Sequence, residues 1–115
     1  MTDWASKKCV PCEGGVPKMS PEAVAEAIRE VSGWSVTGDG DAIDRSWNTG
    51  DFVSAVNRIG RVTEIAEREQ HHPDVHLTGY RHLRIVLTTH AIGGLSENDF
   101  VLAAKIDAMM DEVAE

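Results

Sequence analysis

The chain has 115 residues and a formal net charge of -8, which suits one globular domain, small enough that self-association would add useful stability. That acidic balance argues against a nucleic-acid binder, because affinity for phosphate backbones rests on clustered Lys and Arg. No segment approaches the roughly 18 apolar residues of a membrane span, and the start Met1-Thr2-Asp3-Trp4 lacks the basic and apolar pattern of a signal peptide. The expectation is a cytoplasmic protein with no nucleic-acid or membrane partner.

Residues 1–19 show no sustained periodicity and read as an extended N-terminal arm holding Cys9-Val10-Pro11-Cys12 before Glu13-Gly14-Gly15. A Cys-x-x-Cys pair invites a metal or redox role. A structural zinc, however, needs about four ligands, and the chain has no second cysteine pair. Nor does a helix follow Cys9 at once, as activation of a thiol by a helix N-terminus requires. Two reduced thiols in a structured arm are the simpler expectation.

The domain proper spans residues 20–115. Ser20-Pro21-Glu22 supplies an N-cap, a proline for the first helical position and an acid for the first turn. The spacing of Val24, Ala27, Ile28 and Val31 predicts a helix from there to Gly33. Trp34 to Thr37 and Ile43 to Asn48 flank Gly38-Asp39-Gly40-Asp41 and read as a β-hairpin, with Arg45 an odd polar residue on the face of Ile43 and Trp47. From Asp51 to Gln70, Phe52, Ala55, Val56, Ile59, Val62 and Ala66 recur at helical spacing. Val75 to Thr78 and Leu83 to Thr89 predict a second strand pair. Strict alternation puts Leu83, Ile85, Leu87 and Thr89 on one face and points His90 to the other.

Ser96 is placed to cap a last helix running to about Val113, with Asp99 at the third helical position, where a carboxylate can reach back to the cap. This helix carries one stripe of Leu102, Ile106, Met109 and Val113 and a second of Phe100, Ala103, Ala104 and Met110. One sheet covers one stripe, so the surplus predicts a homodimer or homotetramer interface. The order α-β-β-α-β-β-α with short loops gives an α+β fold, a four-stranded antiparallel sheet with three helices packed on one face.

Chemistry concentrates between Glu67 and Asp99. Histidine is the side chain whose ordinary pKa lies nearest neutrality, so the adjacent pair His71-His72 suggests proton handling or metal ligation. Glu67 stands four residues before His71, the spacing that stacks side chains on one helix face, and Pro73 ends that helix. At about 100° per residue, Glu67 falls roughly 60° and His71 roughly 100° from Phe52, on the rim of the apolar face. Capping of a helix C-terminus by cationic side chains is the structural alternative for the pair. A metal site built from His71, His72, His90 and Glu67 is the rival in chemistry, although adjacent histidines usually diverge. His76 and His82 read as surface residues.

The string Glu67, His71-His72-Pro73, Tyr80, His90 and Asp99 resembles the signature of the pterin-4a-carbinolamine dehydratase family in every gap. Gly94 to Phe100 also looks like that family's lead-in to its last helix, and the resemblance extends over about residues 20 to 113. Val75 stands where many members carry tryptophan, and one extra residue precedes Tyr80. The resemblance implies the α+β fold just described. It also implies dehydration of 4a-hydroxytetrahydropterin to quinonoid dihydropterin in tetrahydropterin recycling, without metal or cofactor. On that basis His71, His72, His90 and Glu67 are the expected catalytic residues, with Glu67 orienting His71. Gln70, His71, His72, Thr88, Thr89, His90 and Ala91 are expected to hold the pterin. Some relatives act as binding proteins, one doubling as a dimerisation cofactor for a transcription factor and others resembling assembly chaperones. The chaperone type lacks the histidine pair that this chain keeps.

Overall fold

The computed structural model describes residues 3–9 and 17–113. The Ser20 hydroxyl accepts the Ala23 amide at 3.1 Å and Pro21 opens α1, Pro21–Ile28. The helix ends before Gly33, the stop expected from the sequence. The amides of Arg29, Glu30 and Val31 bond three residues back, to Glu26, Ala27 and Ile28, tightening the chain into a turn. Gly33 closes that turn at φ 90°, and a Cβ there would stand 2.7 Å from the Arg45 guanidinium. Glycine is thus needed both for the backbone angle and for the close approach.

Four antiparallel strands follow, β1 Ser35–Thr37, β2 Ala42–Asn48, β3 Asp74–Thr78 and β4 His82–Leu87, in the order β1-β2-β4-β3. Opposite pairs Ile43 with Leu87, Arg45 with Ile85 and Trp47 with Leu83 put the apolar side chains on one face. There Ile43, Leu83, Ile85 and Leu87 are fully buried. The other face carries the Arg84–Asp44 ion pair at 2.8 Å and the exposed His76 and His82. One dry face and one wet face is the pattern of an antiparallel sheet with helices on one side.

Arg45, the irregular residue of β2, points into the dry face and is matched there. Its guanidinium donates to Asp107 Oδ1 at 2.8 Å and to the Ser32 carbonyl at 3.0 Å, while the Trp34 indole N–H donates to the same Asp107 oxygen at 2.9 Å. Burial pushes the Asp107 carboxyl above its ordinary pKa, and the hydrogen bonds from Trp34 and Arg45 and the Arg45 charge pull against that rise.

Helix α2, Phe52–Glu69, is capped by Asp51, whose carboxylate accepts the Ser54 amide at 2.7 Å and is held below its ordinary pKa by that bond. Ala55, Val62, Ile65 and Ala66 are buried, but Phe52 and Val56, expected in the buried stripe, are 56% and 47% exposed, with Val53 beside them at 68%. The first turns of α2 overhang the core.

Helix α3, Glu97–Val113, is buried on both of its stripes, at Leu102, Ile106 and Met109 and also at Phe100, Ala103 and Met110. The expectation of an uncovered second stripe fails because the N-terminal arm fills it. A 3-10 turn at Trp4–Ser6 lies along α3, with the Trp4 ring 5.8 Å from that of Phe100 and the Lys105 ammonium donating to the Ala5 carbonyl at 2.8 Å. Exposed apolar side chains lie instead on α2, at Phe52, Val53 and Val56, and singly at Val36, Val75 and Tyr80. Cys9 belongs to this packed arm, whereas Cys12 lies outside the described residues. Among the described residues no helix is long and apolar enough to cross a membrane.

Candidate active site

The site begins where α2 ends. Gln70 takes the left-handed conformation at φ 56°, and the amides of Gln70 and His71 both turn back to the Ala66 carbonyl. This reversal, usually built on glycine, lifts His71 off the helix surface and into the interior, where it is 5% exposed. The expected stacking of Glu67 on His71 requires a helix that continues to His71, and the reversal removes it. Glu67 Oε2 instead accepts from His72 Nε2 at 2.6 Å, with both side chains exposed.

His71 finds a different carboxylate. Its Nε2 lies 2.6 Å from Asp99 Oδ1, and Asp99 is fully buried. The other oxygen, Oδ2, accepts the Ser96 amide at 3.0 Å and the Thr89 hydroxyl at 2.8 Å. Asp99 is therefore the helix cap that the sequence suggests, and the same carboxylate holds the first histidine. The capping offset from Ser96 is visible in the sequence; the bond to His71, across 28 residues, is a product of the fold. With two donors fixed on Oδ2, Asp99 receives the N–H of Nε2 and so sets which ring nitrogen of His71 carries the proton.

Thr89 is buried, as strand alternation requires, but β4 has already ended at Leu87. Thr89 bridges to Gly94, and His90–Ile92 form a 3-10 turn closed by Gly93 at φ 64°. The chain bends at the end of the sheet, and His90 leaves the strand for an exposed position. Its ring makes no hydrogen bond or ion pair among the described residues.

His72 follows His71, and His90 follows Thr89, while His71 and Thr89 both bond to Asp99. Two exposed imidazoles thus spring from neighbouring points around one buried carboxylate. A cleft of about 150 Å³ beside His72 is lined by Val62, Thr63, Ala66, Glu67, Pro73 and Val75. Larger hollows, of about 420 and 320 Å³, lie along α2 and α3 and include none of the three histidines.

The other expected ligand-binding positions surround this group. The Gln70 side chain donates to the Glu67 carbonyl at 2.7 Å, and Ala91 is exposed in the turn after His90. The Thr88 hydroxyl is turned to the carbonyls of Asp41 and Gly94, and the Thr89 hydroxyl is committed to Asp99 and Ser96. The side chains of both threonines are thus occupied within the fold, and the Thr89 amide is bonded to the Gly94 carbonyl as well. Among the described residues no three or more His, Cys, Asp or Glu side chains come together as a metal site; His71, His72 and Glu67 are divided between two separate pairs.

A chain with this site is similar to known proteins along most of its length. Residues 17–109 match the family model described as pterin 4 alpha carbinolamine dehydratase. A pterin-4-alpha-carbinolamine dehydratase 2, mitochondrial, of Arabidopsis thaliana is 42% identical over 97% of this chain, which spans 62% of that protein. A putative pterin-4-alpha-carbinolamine dehydratase of Halorhodospira halophila is 45% identical, over 90% of this chain and 94% of its own length. Among solved structures, a transcriptional coactivator/pterin dehydratase from Brucella melitensis superposes with a TM-score of 0.73 at 31% identity, covering 81% of this chain and 98% of that one.

Proposed function

Since the chain belongs to the pterin 4 alpha carbinolamine dehydratase family, we propose that it catalyses the dehydration of a 4a-hydroxytetrahydropterin to the quinonoid dihydropterin and water. In that reaction the C4a–O bond breaks and the oxygen takes up a proton to leave as water. The neighbouring ring nitrogen loses its proton, and its electron pair closes the new C=N bond. A general acid and a general base must therefore face one small heterocycle. The observation that supports this most directly is the pair of exposed imidazoles, His72 and His90, each one residue beyond a side chain, His71 or Thr89, that bonds the buried Asp99.

His72 and His90 exchange the two protons. Glu67 holds His72 through Nε2, which directs Nδ1 to the substrate side. His71, buried on Asp99, anchors the backbone from which His72 projects. The pterin lies against the chain at Gln70, Thr88, Thr89 and Ala91. A stopped-flow assay with synthetic 4a-hydroxytetrahydropterin, run with and without chelator, tests this: acceleration over the spontaneous reaction that survives chelator supports it, and no acceleration refutes it.

A second reading, as a binding protein, is favoured by the likeness to the Brucella melitensis protein, which is described as a transcriptional coactivator as well as a dehydratase. We assign the face of α2 with exposed Phe52, Val53 and Val56 to self-association, as a homodimer or homotetramer, in place of the last-helix interface expected from the sequence.

A further inference from the structure

Glu69, the last residue of α2, stands where a carboxylate is least favoured, since the C-terminal end of a helix carries partial negative charge. It is also buried, at 6% exposure, and a buried carboxylate needs partners of its own. The fold supplies them from the N-terminal arm and from α3. Glu69 Oε1 accepts the Cys9 amide at 2.9 Å, and Oε2 lies 3.8 Å from Lys105 Nζ and 3.8 Å from Arg68 Nε. Lys105 in turn donates to the Ala5 carbonyl at 2.8 Å, and the Cys9 thiol lies 3.6 Å from the Asn98 carbonyl.

Two of these ties fall beside the site. Glu69 precedes the Gln70 reversal that delivers His71, and Asn98 precedes Asp99, which receives it. The arm joins the two elements at the point where the His71–Asp99 bond forms between them. None of Cys9, Glu69 or Lys105 belongs to the histidine motif; Glu69 stands two residues before His71, Cys9 meets the carbonyl of the residue before Asp99, and Lys105 acts through Glu69.

We propose that Glu69 is a positioning residue, latching the end of α2 to the arm residues Ala5–Cys9 and to Lys105 so that His71 meets Asp99 and His72 is set beside it. The kinetic part of this inference rests on the dehydratase function proposed above; the structural part does not. Two readouts on the full chain therefore keep the two apart: kcat and KM for dehydration, and the NMR signal of the His71 Nε2–H proton, identified by its loss in His71→Gln.

Glu69→Ala is expected to lower kcat about tenfold or more, the scale of a small misplacement of catalytic groups, with a smaller change in KM, and to shift or broaden the His71 proton. Glu69→Gln, which keeps an oxygen for the Cys9 amide, is expected to recover part of both. Cys9→Pro deletes the amide donor from the arm without changing a residue of α2 and is expected to reproduce the same signature, whereas Cys9→Ala, which keeps the amide and loses only the thiol contact to the Asn98 carbonyl, is expected to give the smaller effect. If Glu69→Ala does not fold, Cys9→Pro decides. Parental kcat and an unmoved His71 proton in Cys9→Pro would overturn the latch. Should the parent show no dehydration at all, the functional proposal falls, and the His71 signal alone still decides whether Glu69 positions it.

Discussion

His71 and Asp99 meet at 2.6 Å in the interior, joining the end of α2 to the start of α3. Removing the carboxylate takes the acceptor from three donors at once, the His71 ring, the Thr89 hydroxyl and the Ser96 amide, of which the Thr89 hydroxyl keeps a partner in the Ser96 hydroxyl. A buried hydrogen bond to a carboxylate is worth about 2 kcal/mol, and buried donors left unsatisfied raise the cost. Asp99→Ala is therefore expected to lose at least that much stability in urea denaturation, with Asp99→Asn losing less. A shift in midpoint worth under about 1 kcal/mol, the net value of one ordinary hydrogen bond, would show that the pair carries little.

The helix and strand order was legible in the sequence because the caps at Ser20 and Ser96, the helical spacing from Ala55 to Ala66 and the alternation through Leu83, Ile85 and Leu87 are local signals. The candidate site could be proposed from the sequence as residues at fixed spacing, but not as a set of bonds. Glu67 and His71 have the spacing of a helical pair, but one residue, Gln70 at φ 56°, turns the chain and exchanges the partners. Likewise, the second stripe of α3 is plainly apolar in the sequence, but its cover is Trp4, nearly a hundred positions away in a stretch without periodicity. Pairings of that kind are decided by packing, which spacing does not encode.

The uncovered apolar surface on α2 gives a test of assembly. Phe52, Val53 and Val56 are solvent-exposed on consecutive turns, and a patch of that kind on a small domain marks an interface. Light scattering at micromolar concentration is expected to give a mass above that of one chain, and Phe52→Asp to reduce it. A parent that runs as a monomer sinks the assignment, and so does a Phe52→Asp variant whose assembly is undiminished.

Asp107 predicts a pH dependence of stability. Its pKa is raised in the fold, mainly by burial, so between its ordinary value near 4 and the raised one the folded state binds more protons than the unfolded state. Its contribution is fully present below the unfolded pKa and is lost as pH rises through the folded one. Asp107→Asn keeps an oxygen for Trp34 and Arg45 and removes the titration. The variant should lose less stability than the parent as pH climbs from about 4 toward neutrality. Parallel curves of melting temperature against pH for the two would contradict the assignment.

The catalytic assignment is tested by separating activity from stability. His72 and His90 are exposed, so replacing either with Ala should leave the melting temperature almost unchanged while lowering the rate by about 10² to 10⁴, the usual worth of a positioned acid or base. His71→Ala should behave differently, with a clear loss of stability, because it vacates a buried position bonded to Asp99. Glu67→Gln removes a charge that orients His72 and keeps the imidazole, so its loss of rate should be smaller than that of His72→Ala. The order of effects also separates this scheme from a metal site, in which loss of any ligand abolishes bound metal and activity together. Near-parental rates in both His72→Ala and His90→Ala would remove these two residues from the chemistry, however well their spacing fits.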